Sequence, residues 1–250
     1  MKNLIYSNKF YLNSTDTALG SLVINIDIEI PDEYFDKEIL TNIQKQITAK
    51  IFGEQYTALQ IDSLIPKYVR NTHQRYITDY DSAFQDQVKK TGGPSMINEI
   101  NIDGIAIFLD NKILSYSNES YAYLGGAHGS SIRMLYNFDL SNAHQIKEVD
   151  LFIANYQTQL TQLIKEQLLE QSAEIGSVAD LSELDFWEDK IAPNDNFYVS
   201  DEGLVYIYNP YDIAPYSMGQ IEVTLPYTKL KPLLKSGNII EYLYKNTTVK

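Results

Sequence analysis

The segment GGAHG contains the residues whose types could do chemistry most directly. Gly125, Gly126 and Gly129 surround His128, so three of the chain's 12 glycines fall within five residues. Glycine reaches positive φ without steric cost and lets backbones approach closely. An imidazole in such a corner can hydrogen-bond a ligand or act as a general acid or base. The alternative is that His128 bonds a neighbouring carbonyl and holds the turn, and the backbone needs of turn glycines favour it.

A tyrosine-rich loop, NPYDIAPYS at 209–217, is the second candidate. Tyr208, Tyr211 and Tyr216, together with Asp212, could form a recognition patch in which the carboxylate meets a cation. The alternative is that the two prolines of this loop fix a crossover packed against a sheet. The residue types leave both interpretations open.

Other titratable residues give weaker signals. Asp185, Glu188 and Asp189 near Trp187 could be a glycosidase-like acid pair or a sugar platform, although scattered acids beside one aromatic are usually surface. His73 has no second histidine or paired carboxylate at metal-ligand spacing. No spacing marks a triad, so we predict no catalytic residue, no metal site and no cofactor.

Composition bounds the class of protein. Hydrophobic residues make up 44% and charged residues 21%, values typical of a chain with a packed core. The absence of cysteine excludes disulfides, thiolate nucleophiles and cysteine-bound metals. A net charge of −13 repels nucleic acid and attracts basic proteins or cationic ligands.

Two features bear on location. No apolar run approaches the roughly 20 residues that a membrane helix needs. The first 17 residues lack the apolar core of a signal peptide. These features fit a cytoplasmic protein, or a mature exported protein whose signal has been removed.

Periodicity predicts the elements of the first part of the chain. Leu22 to Ile30 alternates as a half-buried strand. A helix from about Asp32 to Phe52 carries an isoleucine every fourth residue. A second helix is predicted from Asp62 or Ser63 to near Val88, with Pro66 tolerated in its first turn, and Thr91 to Ser95 ends it.

Strands dominate the predicted remainder. Ile97 to Leu109, Lys112 to Leu124 and Ser131 to Leu140 form an antiparallel meander. An amphipathic helix follows, with an apolar stripe made of Tyr156, Leu160, Leu163, Ile164 and Leu168. Three shorter strands, a short helix after Pro226 and a strand from Asn238 complete the pattern. We predict an α+β fold in which amphipathic helices pack on an antiparallel meander, with halves 1–145 and 146–250 packed as one compact unit.

Several motifs occur in an order that resembles a known family. YAYLGGAHG, YNFDL, DLF before a helix, and FYVSDEGLVYIYNPYDIAPYSMGQIEVTLPY follow one another. This order is similar to the extracytoplasmic region of RsiV-type lysozyme-sensing anti-sigma factors. The same pair of domains of unknown function accompanies PdaC-type peptidoglycan deacetylases. The resemblance covers about Thr17 to Leu234, and GGAHG and NPYDIAPYSMG are its most specific elements.

The resemblance implies an α+β protein located outside the cytoplasm, as a periplasmic, surface lipoprotein or secreted protein with a role at the cell envelope. The membrane helix and sigma-binding segment of the RsiV type, and the catalytic domain of the deacetylases, have no counterpart in these residues. We therefore expect a noncatalytic binding module for lysozyme, as a basic protein, or for cell-wall glycan, and no binding to nucleic acid. The alternative is an enzyme acting on peptidoglycan. The predicted binding residues are Gly125, Gly126, His128, Gly129, Tyr208, Tyr211, Asp212 and Tyr216.

Overall fold

A computed structural model of the chain describes residues 1–34, 36–91, 96–173 and 180–245. The strands are β1 (Lys2–Tyr11), β2 (Gly20–Ile30), β3 (Met96–Leu109), β4 (Ile113–Tyr123), β5 (Ser130–Asp139), β6 (Gln145–Ile146), β7 (Phe197–Val199), β8 (Gly203–Tyr208) and β9 (Ile221–Pro226). The helices are α1 (Lys37–Phe52), α2 (Ile61–Asp79), α3 (Ser82–Thr91), α4 (Glu148–Leu151), α5 (Gln157–Ala173), α6 (Tyr227–Leu230) and α7 (Glu241–Tyr244). Most of the predicted TGGPS helix break lies outside the described residues.

The strands form two sheets, which confirms the α+β prediction. One sheet has the order β1-β2-β3-β4-β5-β6 and the other the order β7-β8-β9. β1 and β2 are antiparallel, whereas β2 and β3 are parallel. A parallel pair needs a long crossover, and here α1, α2 and α3 supply it.

The chain folds as two compact units. The first contains Met1–Ile105 and Asn118–Ile132, and the second contains Ala106–Ser117 and Arg133–Lys250. The strands β3, β4 and β5 contribute residues to both. The predicted halves 1–145 and 146–250, packed as one body, stay a prediction.

The core of the first unit is built on the alternating strand that the sequence predicts. Every second side chain of β2 from Leu22 to Ile30 is buried, whereas Asn25, Asp27 and Glu29 are half-buried or exposed. Buried residues of α1, of α2 and of the 3-10 turn between them complete this core: Phe52, Tyr56, Leu64, Ile65, Val69 and Tyr76. The period-two pattern therefore identified the strand and its inner face correctly.

Two helix boundaries differ from the predictions, in both cases because an aspartate caps a helix. The predicted start of α1 at Asp32 is wrong, since the side chain of Asp36 accepts the amides of Glu38 and Ile39 at 2.9 and 3.1 Å. The predicted single helix from residue 62 or 63 to 88 is also wrong. The Asp81 side chain accepts the Phe84 amide at 2.9 Å and starts α3 as a new helix.

Other details of the prediction also need correction. α2 begins at Ile61, and Pro66 lies inside it beyond the first turn. The chain from Asn238 forms the short helix α7 and not a strand. β1 was not predicted, although its sequence alternates: Leu4, Tyr6 and Phe10 pack against the first core.

The core of the second unit joins α5 to the three-stranded sheet. Leu160, Ile164 and Leu168 are buried in one cluster with Phe197 and Tyr206 of β7 and β8. The predicted apolar stripe of this helix is therefore confirmed. Since α5 is not hydrophobic on all sides, the stripe determines which face packs inward.

A buried carboxylate ties two segments of the second unit together. The two side-chain oxygens of Glu148 accept the Asp195 amide at 2.9 Å and the Tyr156 hydroxyl at 2.8 Å. The Asp195 side chain in turn accepts the Glu148 amide at 2.9 Å. Burial raises the pKa of the Glu148 carboxyl above its ordinary value, although the two donors oppose the change.

The first core makes a direct prediction about stability. Ile24 is fully buried on β2, whereas Ile5 on the neighbouring β1 is 72% exposed. Ile24→Ala should lower the free energy of unfolding by about 2–5 kcal/mol, because it removes buried apolar contacts and leaves a cavity. Ile5→Ala, the same change on the adjacent strand, should cost less than about 1 kcal/mol. Urea unfolding of both variants measures this, and equal losses would contradict the assigned core.

Candidate functional site

The glycine corner connects β4 to β5 in the first unit. Gly125 and Gly126 have φ of +90° and +105°, which confirms that at least one corner glycine has positive φ. Gly129 is buried, and a Cβ added there would lie 2.4 Å from ring atoms of Tyr121. The corner therefore needs glycine for two different reasons, backbone conformation and close approach of a ring.

His128 makes the hydrogen bond to a neighbouring carbonyl that is expected if its role is to hold the turn. Its Nδ1 donates to the carbonyl oxygen of Gly129 at 2.8 Å. Tyr123 adds a second link, since its hydroxyl donates to the carbonyl oxygen of Gly126 at 3.0 Å. These bonds hold the turn, while the imidazole ring remains at the exposed surface. A ligand at His128 stays a prediction.

The tyrosine loop of the second unit separates its three tyrosines. Tyr208 is buried at the end of β8, and its hydroxyl donates to the carbonyl oxygen of Ala192 at 2.8 Å. Tyr211 is 57% exposed on a left-handed backbone with φ of +73°. Its ring centroid lies 5.5 Å from that of Tyr216, with an angle of 35° between the rings. Tyr211 and Tyr216, named here the tyrosine pair, are the members of this set that a ligand can reach.

Asp212 binds the backbone of its own loop. Its side chain accepts the amide of Asn209 at 2.7 Å, and its own amide donates to the Asn209 carbonyl at 2.9 Å. The carboxylate therefore closes a tight turn under Tyr211. This local bond is what positions the tyrosine pair, and a further cation contact of Asp212 stays a prediction.

Side-chain amides anchor the start of this loop to β5. The Asn209 side chain accepts the Arg133 amide at 2.7 Å and donates to the Arg133 carbonyl at 3.1 Å. Asn196 likewise accepts the Leu135 amide at 2.8 Å. Asn137 acts in the opposite direction, since its side chain lies on β5 and accepts the Val199 amide at 3.0 Å. We call Asn137, Asn196 and Asn209 the asparagine row.

Trp187 lies beside the tyrosine loop, which the sequence did not indicate. Its backbone amide donates to the carbonyl oxygen of Ile213 at 2.8 Å, and its side chain is partly exposed. The two candidates of the second unit are therefore neighbours. Of the acids near Trp187, Glu188 pairs with Lys165 at 3.5 Å, and Asp185 ends a helical turn in the left-handed conformation.

The remaining sequence candidates add no site. His73 stacks on Phe10 with ring centroids 4.2 Å apart. Among the residues that the structure describes, no group of three or more histidines and carboxylates is arranged to hold a metal ion. Within the same residues, no helix has the length and apolarity to cross a membrane.

Two family models match separate parts of the chain. Residues 20–131 match the model described as "Deacetylase PdaC", and residues 149–228 match "Protein of unknown function (DUF3298)". The chain thus pairs a PdaC-type region with a DUF3298-type region. This confirms the part of the predicted resemblance that concerns the paired domains.

A curated relative also carries the PdaC name. The chain is 22% identical over 193 residues to peptidoglycan-N-acetylmuramic acid deacetylase PdaC of Bacillus subtilis (strain 168). The match spans 75% of this chain but only 39% of that protein.

Solved structures show the same fold. A DUF3298 family member from Bacteroides fragilis NCTC 9343 has a TM-score of 0.89 at 26% identity, covering 97% of this chain and 96% of that one. A DUF3298 family protein from Pseudomonas aeruginosa PAO1 has a TM-score of 0.58 at 14% identity, covering 94% of each chain. The second likeness concerns the fold alone.

The corner geometry predicts the effects of substitution. Gly126→Ala should lower the free energy of unfolding by roughly 1 kcal/mol or more, because alanine is strained at positive φ. Gly129→Ala should also destabilise, since its methyl group must displace the Tyr121 ring. His128→Ala should be appreciably destabilising if the imidazole anchors the turn. Thermal melts beside Ser130→Ala, an exposed control, measure this, and three unchanged melting temperatures would refute the account.

Proposed function

We propose that the chain is a noncatalytic binding module of the bacterial cell envelope that recognises cell-wall glycan through the tyrosine pair. The observation that carries this proposal is the exposure of Tyr211 next to Tyr216 on a loop held by Asn209 and Asp212. Tyrosine offers a flat apolar ring with a polar hydroxyl at its edge. A sugar ring has the complementary form, with C–H groups on its faces and hydroxyls around its edge.

Rigidity makes this pair suitable for binding. The turn beneath Tyr211 is closed by two hydrogen bonds, and the side chain of Asn209 fixes its start on the Arg133 backbone. A ligand therefore meets rings whose backbone is already ordered, so little conformational entropy is lost on binding. Trp187, whose backbone amide bonds the Ile213 carbonyl of this loop, adds a partly exposed aromatic side chain on the adjoining segment.

One relative supports a cell-wall ligand and, through it, an extracytoplasmic location. The curated relative in Bacillus subtilis is named as a deacetylase of peptidoglycan N-acetylmuramic acid. Since the match covers 39% of that protein, we do not carry over its activity. We carry over only the association with the same polymer. A protein that binds this polymer must lie outside the cytoplasmic membrane, so we propose that the chain is exported.

Binding to purified peptidoglycan tests the proposal. The intact chain should sediment with insoluble peptidoglycan, and the double variant Tyr211→Ala, Tyr216→Ala should bind about tenfold more weakly or worse, because aromatic anchors dominate such interfaces. Tyr11→Ala is the matched control, since Tyr11 is 45% exposed in the first unit. Equal binding by all three proteins would refute the tyrosine pair as the site.

The enzymatic alternative is settled by the same samples. An enzyme acting on peptidoglycan would release soluble sugar, peptide or acetate in proportion to time. We expect binding without release. Sustained product formation that the tyrosine variants reduce would replace the binding proposal with the enzyme.

A basic protein such as lysozyme is a second candidate partner, favoured by charge. Asp27 and Asp103 stand directly opposite each other on β2 and β3. Burial and the neighbouring carboxylates of Asp27 and Glu119 raise the pKa of Asp103 above its ordinary value. A cationic partner would relieve this repulsion, and the net charge of −13 would speed its approach. The resemblance to the RsiV type suggests lysozyme as that partner.

Calorimetry at two ionic strengths tests this second candidate. Lysozyme should bind more tightly than a cytochrome-like basic protein of matched charge, and should still bind above ~0.15 M salt, where the screening length is about 8 Å. Asp27→Asn with Asp103→Asn should weaken binding at low salt without abolishing it. Equal weak binding to both proteins that disappears with salt would show that charge alone acts and that lysozyme is not the partner.

A further inference from the structure

A cleft of about 260 Å³ opens in the first unit where α2 leaves the apolar face of the sheet. Its floor is formed by Leu22 of β2 and by Asn98 and Ile100 of β3. Leu22 is paired with Asn98, so these side chains share one face of the parallel pair. The cleft is therefore the open end of the isoleucine core, with one amide placed among its apolar groups.

One face of α2 forms the wall of the cleft. Thr72, Arg75, Tyr76, Asp79 and Tyr80 line it, and their spacing of three and four residues puts them on the same side of a helix. Leu124, which precedes the glycine corner, lines the opening and is largely exposed. None of these side chains was predicted from the sequence to bind a ligand.

The two tyrosines of the wall are held by hydrogen bonds to β3. The Tyr76 hydroxyl donates to the carbonyl oxygen of Met96 at 2.7 Å, and the Tyr80 hydroxyl donates to the Asn98 side chain at 3.3 Å. Burial raises the pKa of Tyr76 to about 12, so the hydroxyl stays a neutral donor near neutral pH. Their ring centroids are 5.2 Å apart in an edge-on arrangement. The wall is therefore fixed before any ligand arrives.

We propose that this cleft binds one neutral sugar ring that carries an N-acetyl group. The volume is below the roughly 300–1,000 Å³ of pockets for drug-sized ligands, so a single ring is the appropriate size. This inference concerns a different unit and different residues from the tyrosine pair, and it stands or falls independently of what that pair binds.

The rim fits hydroxyl groups. Arg75 only donates hydrogen bonds and ionised Asp79 only accepts them, whereas a sugar hydroxyl does both. Adjacent hydroxyls of one ring can therefore satisfy the two residues together, with Thr72 beside them. The charges of Arg75 and Asp79 balance, so the site favours an uncharged ligand. The net charge of −13 further disfavours an acidic sugar.

The floor fits an acetamido group. Half-buried Ile100 offers apolar surface to its methyl group beside the buried Leu22, and the Asn98 amide lies on the same face of the strands for its polar atoms. A plain hexose has no apolar substituent to place there. A free amino sugar would place an ammonium group on this apolar floor, which is costly.

Titration followed by backbone amide NMR tests the site. Methyl N-acetyl-β-glucosaminide should shift the signals of Thr72, Tyr76, Asn98 and Leu124 saturably. Methyl β-glucoside should bind about fourfold more weakly, because one buried methyl group is worth about 0.8 kcal/mol. Since the ligand is neutral, added salt should leave both affinities unchanged.

Matched arginine variants on one helix provide the control. Arg75→Gln should weaken binding about tenfold or more, since it removes the charged donor from the rim. Arg70→Gln makes the same change on another face of α2 and should have no effect. The proposal is overturned if the sugars cause no saturable shift up to about 10 mM, or if signals shift only in the second unit. It is also overturned if the two sugars bind with equal affinity, or if the two variants have equal effects.

Discussion

Hydrogen bonds from the asparagine row to the β5 and β7 backbones are the interaction on which the second unit depends. The Asn209 side chain makes hydrogen bonds with both the amide and the carbonyl of Arg133, as the backbone of a neighbouring strand would. The Asn196 side chain accepts a hydrogen bond from the amide of Leu135, two residues further along β5. A buried backbone group left without a partner costs about 1–3 kcal/mol. The side chains therefore complete β5 where no strand is available, and Asn209 simultaneously fixes where the tyrosine loop begins.

Local patterns in the sequence predict much of the fold. The alternation of β2 and the stripe of α5 identify buried faces because burial repeats with the period of the element. The parallel pairing of β2 with β3 could not be predicted in this way, because it joins partners 76 residues apart, such as Gly20 and Met96. The same reasoning also missed the break before α3, since the capping bond of Asp81 outweighs an unbroken helical pattern.

The candidate sites likewise include some residues that the sequence predicts and others that only the tertiary structure identifies. Tyr211 and Tyr216 could be named from their loop, because proline and tyrosine together suggest an ordered, exposed turn. Burial of Tyr208, closure of the turn by Asp212 and the approach of Trp187 required the tertiary structure. The cleft beside α2 could not be predicted from the sequence either, because it is assembled from α2, two strands and the residue before the glycine corner.

A crystal structure with a peptidoglycan-derived tetrasaccharide tests the central claim most directly. The account predicts an intact sugar ring lying against Tyr211 or Tyr216, with the loop backbone unchanged because Asn209 and Asp212 already hold it. Oligosaccharide bound to the second unit away from this pair, or found cleaved, would contradict the claim that the tyrosine pair is a noncatalytic glycan-binding site.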